Sequence, residues 1–149
     1  MMMNFHDALS EAILSSGGDA IIASDGDGII RFWNHGAERI FGYTKSSAIG
    51  QSLDIIIPEP LRARHWAGYR EVMATGESRY GHGDILAVPG ICSDGSRISL
   101  EFTIVPLHDA GGKMTGMAAI MRDVTKRFEE LRTLKKTLAR MENLPPASR

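Results

Sequence analysis

Cysteine is nearly missing from this chain: Cys92 is its one thiol. That excludes an intramolecular disulfide and a multi-cysteine metal centre, and it suits a reducing compartment. An excess of either charge is missing too. Lys and Arg number 17 against 18 Asp and Glu, for a formal net charge of −1. Such a balance gives no electrostatic case for nucleic acid or an anionic membrane surface as a partner. No apolar run approaches the roughly 20 residues needed to cross a bilayer. The opening "MMMNFHDALSEAIL" lacks the basic segment and long apolar core of a secretion signal. These absences lead to the expectation of a cytoplasmic protein with no membrane and no nucleic-acid partner.

Catalytic patterns are equally scarce. The glycines cluster in turns, and none has the spacing of a phosphate loop that opens a helix. His6, His35 and His108 are scattered without metal-ligand spacing, and no serine, histidine and carboxylate order suggests a nucleophile. Asp25 and Asp27 are turn formers first. Cys92 lies beside a turn with nothing near it in sequence to stabilise a thiolate, and reads as a spectator. The expectation is a non-enzymatic domain, with any catalysis in an effector outside these residues.

What is present suffices for a domain with a real core and an appendage: 149 residues, 43% hydrophobic and 23% charged. "FHDALSEAILSS" puts Phe5, Leu9, Ala12 and Ile13 on one helical face, stopped by Gly17-Gly18. Strands are expected at Ala20–Ser24 and Gly28–Trp33, joined by the Asp25-Gly26-Asp27-Gly28 turn. Asn34 is placed to cap a helix with Ala37, Ile40 and Phe41 as its buried side and Gly42 as its stop. "TKSSAIGQSLDIIIPEP" reads as loop with at most a turn or two of helix, and a helix follows from about Pro60 to Ala74. Then "YGHGDILAVPGI", "RISLEFTIVPLHD" and "MTGMAAIMRDV" read as three strands separated by hairpin turns. In the middle one Ile98, Leu100, Phe102 and Ile104 alternate with Ser99, Glu101 and Thr103, so one face is buried and the other wet. The class is α+β: a five-stranded antiparallel sheet with short helices on one face.

Residues 126–149 differ. Val124, Leu131 and Leu138 fall at heptad position a, and Leu134 and Met141 at d, while Arg127 breaks the first d. The remainder is charged and helix-forming, and Pro145-Pro146 ends it. A dimerising helix is preferred to one folded back on its own domain, because most of it is highly charged.

Three stretches together resemble the PAS domain family: "DGDGIIRFWNHGAERIFGYTKSSAIG", "DGSRISLEFTIVPL" and the closing "MRDVT". The last is similar to the Asp-x-Thr junction, here Asp123 and Thr125, through which PAS domains pass into a signalling helix. The resemblance covers about residues 10–125 and implies the PAS fold, with an N-terminal flanking helix (1–18), a sensor domain (19–125) and a C-terminal signalling helix and tail (126–149). It implies signal transduction and a homodimer. The effector would be a module such as a histidine kinase or cyclase.

"IIPEPLRARHWAGYREVMATGE" resembles the corresponding helix of haem-binding PAS domains of the FixL and Dos oxygen-sensor type. In those the helix histidine is the proximal iron ligand, and the match along "PEPLRARH…Y…ATGE" carries that role to His65. The resemblance implies haem b, with a gas ligand at its iron. A neutral imidazole is a suitable donor, and a haem needs a largely apolar pocket. The expected lining is His65, Tyr69, Ile85, Leu86, Leu100, Phe102, Ile104 and Ile120, with Arg62, Arg64 and Arg70 near enough in sequence to meet propionates. Leu61, His65 and Tyr69 share one helical stripe, whose direction spacing alone does not give. Two matched positions depart from the pattern: Leu86 stands where the FixL type has an arginine, and Asp84 where the Dos type has a methionine. His82 is a conceivable sixth ligand, although a loop histidine on the surface is the plainer reading.

Two alternatives stay open. One is a cofactor-free dimerisation or interaction module. The other is a receptor for another small molecule or a non-covalent flavin, on whose ring Trp33, Trp66 and Tyr69 would stack; packing is the preferred role of these aromatics. No Asn-Cys-Arg-Phe-Leu-Gln photosensor motif is present.

Overall fold

A computed structural model describes residues 2–77 and 85–145. Helix α1 (Phe5–Leu14) is capped by Asn4, whose side chain accepts from the Asp7 amide at 2.8 Å, and none of its residues is buried. Strands β1 (Ala20–Asp25) and β2 (Ile30–Trp33) pair antiparallel. The Asp25 carboxylate accepts from the amides of Asp27 and Ile29, closing the turn between them as an Asx residue does.

Helix α2 (His35–Phe41) starts and stops where the sequence signals: Asn34 caps it, and Gly42 ends it at φ 83°, a conformation that costs glycine nothing. The Asn34 side chain also accepts from Ile21 N at 2.8 Å and donates to the carbonyls of Ser16 and Asp19. One buried amide thus joins helix, strand and the preceding loop. Helix α3 (Lys45–Ala48) and a 3-10 turn at Leu53–Ile56 are the short helices expected before Pro58. Helix α4 (Arg62–Thr75) follows a 3-10 turn at Glu59–Leu61 and ends at Gly76.

Strands β3 (Leu86–Ile91), β4 (Arg97–His108) and β5 (Met114–Asp123) complete one antiparallel sheet in the order β2-β1-β5-β4-β3. The Tyr80–Asp84 part of the expected third strand lies outside the described residues. Register fixes the faces. Ile22 pairs with Ala119, Ser24 with Met117, Phe102 with Met121 and Leu86 with Phe102, so these residues share the inner face beneath the helices. Ile21 and Thr103 both pair with Ile120, which places Ile120 on the opposite face. Pro89 lies within the edge strand β3.

The core joins Ala20, Ile22, Ile30, Trp33, Phe41, Leu100, Met117 and Met121 with Tyr69 from α4. Trp33 packs against Phe41 at a centroid distance of 5.6 Å. Each such ring removed from water contributes about 2–3 kcal/mol. Beyond the sheet, Thr125 bonds through its amide and hydroxyl to the Asp123 carboxylate and accepts from Ser99 N at 2.9 Å. The chain passes directly into α5 (Thr125–Glu142), which buries no residue and exposes Leu131, Leu134, Leu138 and Met141. It is not folded back on the domain.

Candidate functional site

Pro58 and Pro60 bring α4 in above the inner face of the sheet, and its direction answers what spacing left open. Tyr69 is buried, and Leu61 and His65 are half-buried, so the stripe turns inward. The Tyr69 hydroxyl donates to the Asp25 carbonyl, and the Ser24 hydroxyl lies 2.8 Å from it. With its one proton committed to Asp25, Tyr69 accepts from Ser24. Burial pushes the Tyr69 phenol above its ordinary value; the Ser24 hydrogen bond opposes this, and the nearby Asp25 and Asp27 add to it. It stays a neutral donor.

His65 lies between two aromatic rings, 4.6 Å from Trp66 in a near-perpendicular arrangement and 5.8 Å from Tyr69. Its Nδ1 is buried without a hydrogen-bond partner, alone in this among the buried side-chain polar atoms of the described residues. Burial holds the imidazole below its ordinary pKa, with Asp54 pulling the other way. A neutral ring with an unpaired buried nitrogen leaves a desolvated polar atom uncompensated, at a cost of about 1–3 kcal/mol. The same ring is a ready donor to a metal. Among the described residues no three His, Cys, Asp or Glu side chains converge to hold a bare ion. An iron already carrying four porphyrin nitrogens needs only one such donor, so His65 fits that group.

Trp66, one of the three aromatics for which packing is preferred to stacking on a flavin ring, is central to the site. Its Nε1 donates to Asp54 Oδ1 at 2.7 Å, and its indole covers Gly28, where an added Cβ would sit 2.1 Å from Cη2. Gly28 also holds φ 77°, so the turn needs glycine for both reasons. Arg62 is engaged elsewhere: its guanidinium donates to the carbonyls of Ile57 and Asp54. Arg64 and Arg70 are exposed.

Of the expected lining, Leu86, Leu100, Phe102 and Ile104 fall on the inner face by register, together with Tyr69. Ile85 and Ile120 do not join them. Ile85 is 66% exposed ahead of β3, and Ile120 points to the far face of the sheet. For Ile120 the reason is strand parity, which moves neighbouring residues to opposite faces. His82 and Asp84 lie outside the described residues. Two surface clefts, of about 530 Å³ near Thr44 and about 400 Å³ near Arg122, are not bordered by His65. The Cys92 thiol donates to the Ile40 carbonyl at 3.3 Å, and burial pushes its pKa up, as suits a packing residue.

The fold and this inward-facing helix define a sensory module, and comparison with known proteins gives its family. The sequence matches the family model described as the PAS fold over residues 8–124, so the chain belongs to the PAS family, whose members sense and do not catalyse. The PAS domain of a Colwellia psychrerythraea protein superposes with a TM-score of 0.70 at 25% identity, covering 83% of this chain and 99% of that one. Among curated relatives, an uncharacterized protein of Azorhizobium caulinodans is 34% identical over 105 residues, 70% of this chain and 14% of its own length. Sensor protein FixL of Bradyrhizobium diazoefficiens is 32% identical over 109 residues, 72% of this chain and 19% of FixL. The chain spans less than a fifth of either relative. Among the described residues no helix is long and apolar enough to cross a membrane.

Proposed function

We propose that this PAS sensory domain binds haem b through His65 and relays gas or redox state through α5 to an effector domain such as a histidine kinase or cyclase. Residues 19–125 form the sensor, 1–18 a flanking helix and 126–149 the signalling helix and tail of a cytoplasmic homodimer. The observation that supports the haem reading is the buried, unpartnered and neutral imidazole of His65. The likeness to a sensor protein named FixL adds to it.

Haem, when bound, would supply an iron able to bind a gas and to change oxidation state. The chain's own residues hold and read it. His65 donates from α4, and Leu86, Leu100, Phe102 and Ile104 offer an apolar wall on the inner face. An aliphatic side chain at Leu86 favours carbon monoxide or nitric oxide, which need less polar anchoring than oxygen. Displacement of α4 or of the wall reaches β4 and β5, and the Ser99, Asp123 and Thr125 bonds join these strands to α5. Such a relay needs only that two states of the site interact differently with the fold.

The test is spectroscopic. Purified chain mixed with haemin should turn red with a Soret band, and His65→Ala should remove or shift that band. A protein that stays colourless, or a band indifferent to His65→Ala, refutes the reading. One observation favours a cofactor-free dimerisation module as the second reading: Tyr69 and Trp66 already fill the space between α4 and the β1–β2 turn. A colourless chain that still dimerises through α5 would support it.

A further inference from the structure

Three side chains on one face of α4 meet a single turn. Trp66 covers Gly28, the Tyr69 hydroxyl bonds Ser24 and the Asp25 carbonyl, and Met73 Cε lies 3.2 Å from where a Cβ on Gly26 would sit. The turn is a closed unit. Gly28 N donates to the Asp25 carbonyl at 3.0 Å, Asp25 N to the Ile29 carbonyl at 3.0 Å, and Arg31 binds the Asp25 carboxylate at 2.8 Å. The carbonyl that closes the turn is therefore the one Tyr69 holds. A second tie runs from Leu53 N to the Gly28 carbonyl at 3.0 Å, beside the Asp54 that anchors Trp66.

The His65 ring packs against Trp66 and Tyr69, two residues that hold this turn. We infer that Tyr69 is a positioning residue that couples the state of His65 to the β1–β2 turn, giving the site an outlet separate from α5. Tyr69 is one helical turn beyond His65, so a tilt or shift of the imidazole presses on the phenol, whose hydroxyl is fixed at its far end. The response appears at Gly28 and Ile29, directly ahead of β2. The inference rests on His65 being the site that changes state, and deepens that reading.

The test is amide hydrogen exchange in the turn on the full chain, without haem and then with haemin, for wild type, His65→Ala, Tyr69→Phe and the double variant. In the haem-free chain His65→Ala should speed exchange at Gly28 and Ile29 by about threefold or more. In the Tyr69→Phe background the same change should have little effect there. A structural role alone gives additive effects; coupling gives non-additive ones. Equal effects of His65→Ala in both backgrounds, or none in either, overturn the coupling. With haemin, a Soret band indifferent to His65→Ala overturns the haem reading and leaves the exchange result standing. Where the band depends on His65, carbon monoxide should alter turn exchange in wild type, and in Tyr69→Phe samples whose Soret band shows carbon monoxide bound that response should be lost. A response that survives Tyr69→Phe overturns the inference.

Discussion

Beneath α2 the inner face of the sheet is sealed: Ile22, Ile30, Trp33 and Phe41 are at most 2% exposed. Across β3 and β4, Leu86, Phe102 and Ile104 remain half-buried. The sealed half has every apolar ring in contact and its buried amide, Asn34, saturated. Helix α4 carries the one buried side-chain nitrogen of the described residues that lacks a partner, His65 Nδ1. Packing is thus more complete in the first region than in the second, and local opening is expected to be easier in the second.

The sharpest way to break this contrast is to remove a ring from each half. Phe41→Ala should cost about 3–5 kcal/mol in urea unfolding, the cost of a large cavity in a sealed core. Phe102→Ala should cost clearly less, about 1–3 kcal/mol, and should shift the Soret band of haemin-treated protein where Phe41→Ala does not. Equal losses at the two positions would show the halves to be equally finished.

Acid gives a smaller and more specific probe. Burial holds the His65 imidazole below its ordinary value, while Asp54 opposes. The unfolded chain therefore takes up this proton first as pH falls. Through His65, stability is independent of pH above about 6.5 and is lost as pH drops below it toward the folded value. The stability of wild type minus that of His65→Gln should fall between about pH 7 and 5. A difference that rises instead would show the ring charged in the folded protein.

The smallest effect on folding should come from α5. Leu134 is 65% exposed, so Leu134→Lys should change unfolding by no more than about 0.5 kcal/mol. Sedimentation should nonetheless show weaker association for this variant. Unchanged association would move the interface to α1 or the outer sheet face.

Much of this was legible because it is local. The hairpin turns, the Asn34 cap, the Gly42 stop and the alternation in β4 all express short-range rules, and within the described residues the strands and helices form close to where those rules put them. Long-range facts were not legible. Nothing near Asn34 in sequence signals its bonds to Ile21, Ser16 and Asp19. "GMAAIM" is apolar throughout, so it carried no parity, and Ile120 read as lining until pairing with Ile21 placed it on the other face. Trp66 stands outside the Leu61, His65 and Tyr69 stripe, and its partners Asp54 and Gly28 belong to other segments. Only folding brings them to the histidine.

Each margin of the sheet carries an obstacle to a further strand. At β2, residues 50–52 already take the free hydrogen bonds of Ile30, through Gly50 N to its carbonyl and its amide to Gln51, both at 2.9 Å. At β3, Pro89 interrupts the edge with a residue that has no amide proton to offer. A neighbouring molecule is thereby offered only a short and interrupted template for strand addition.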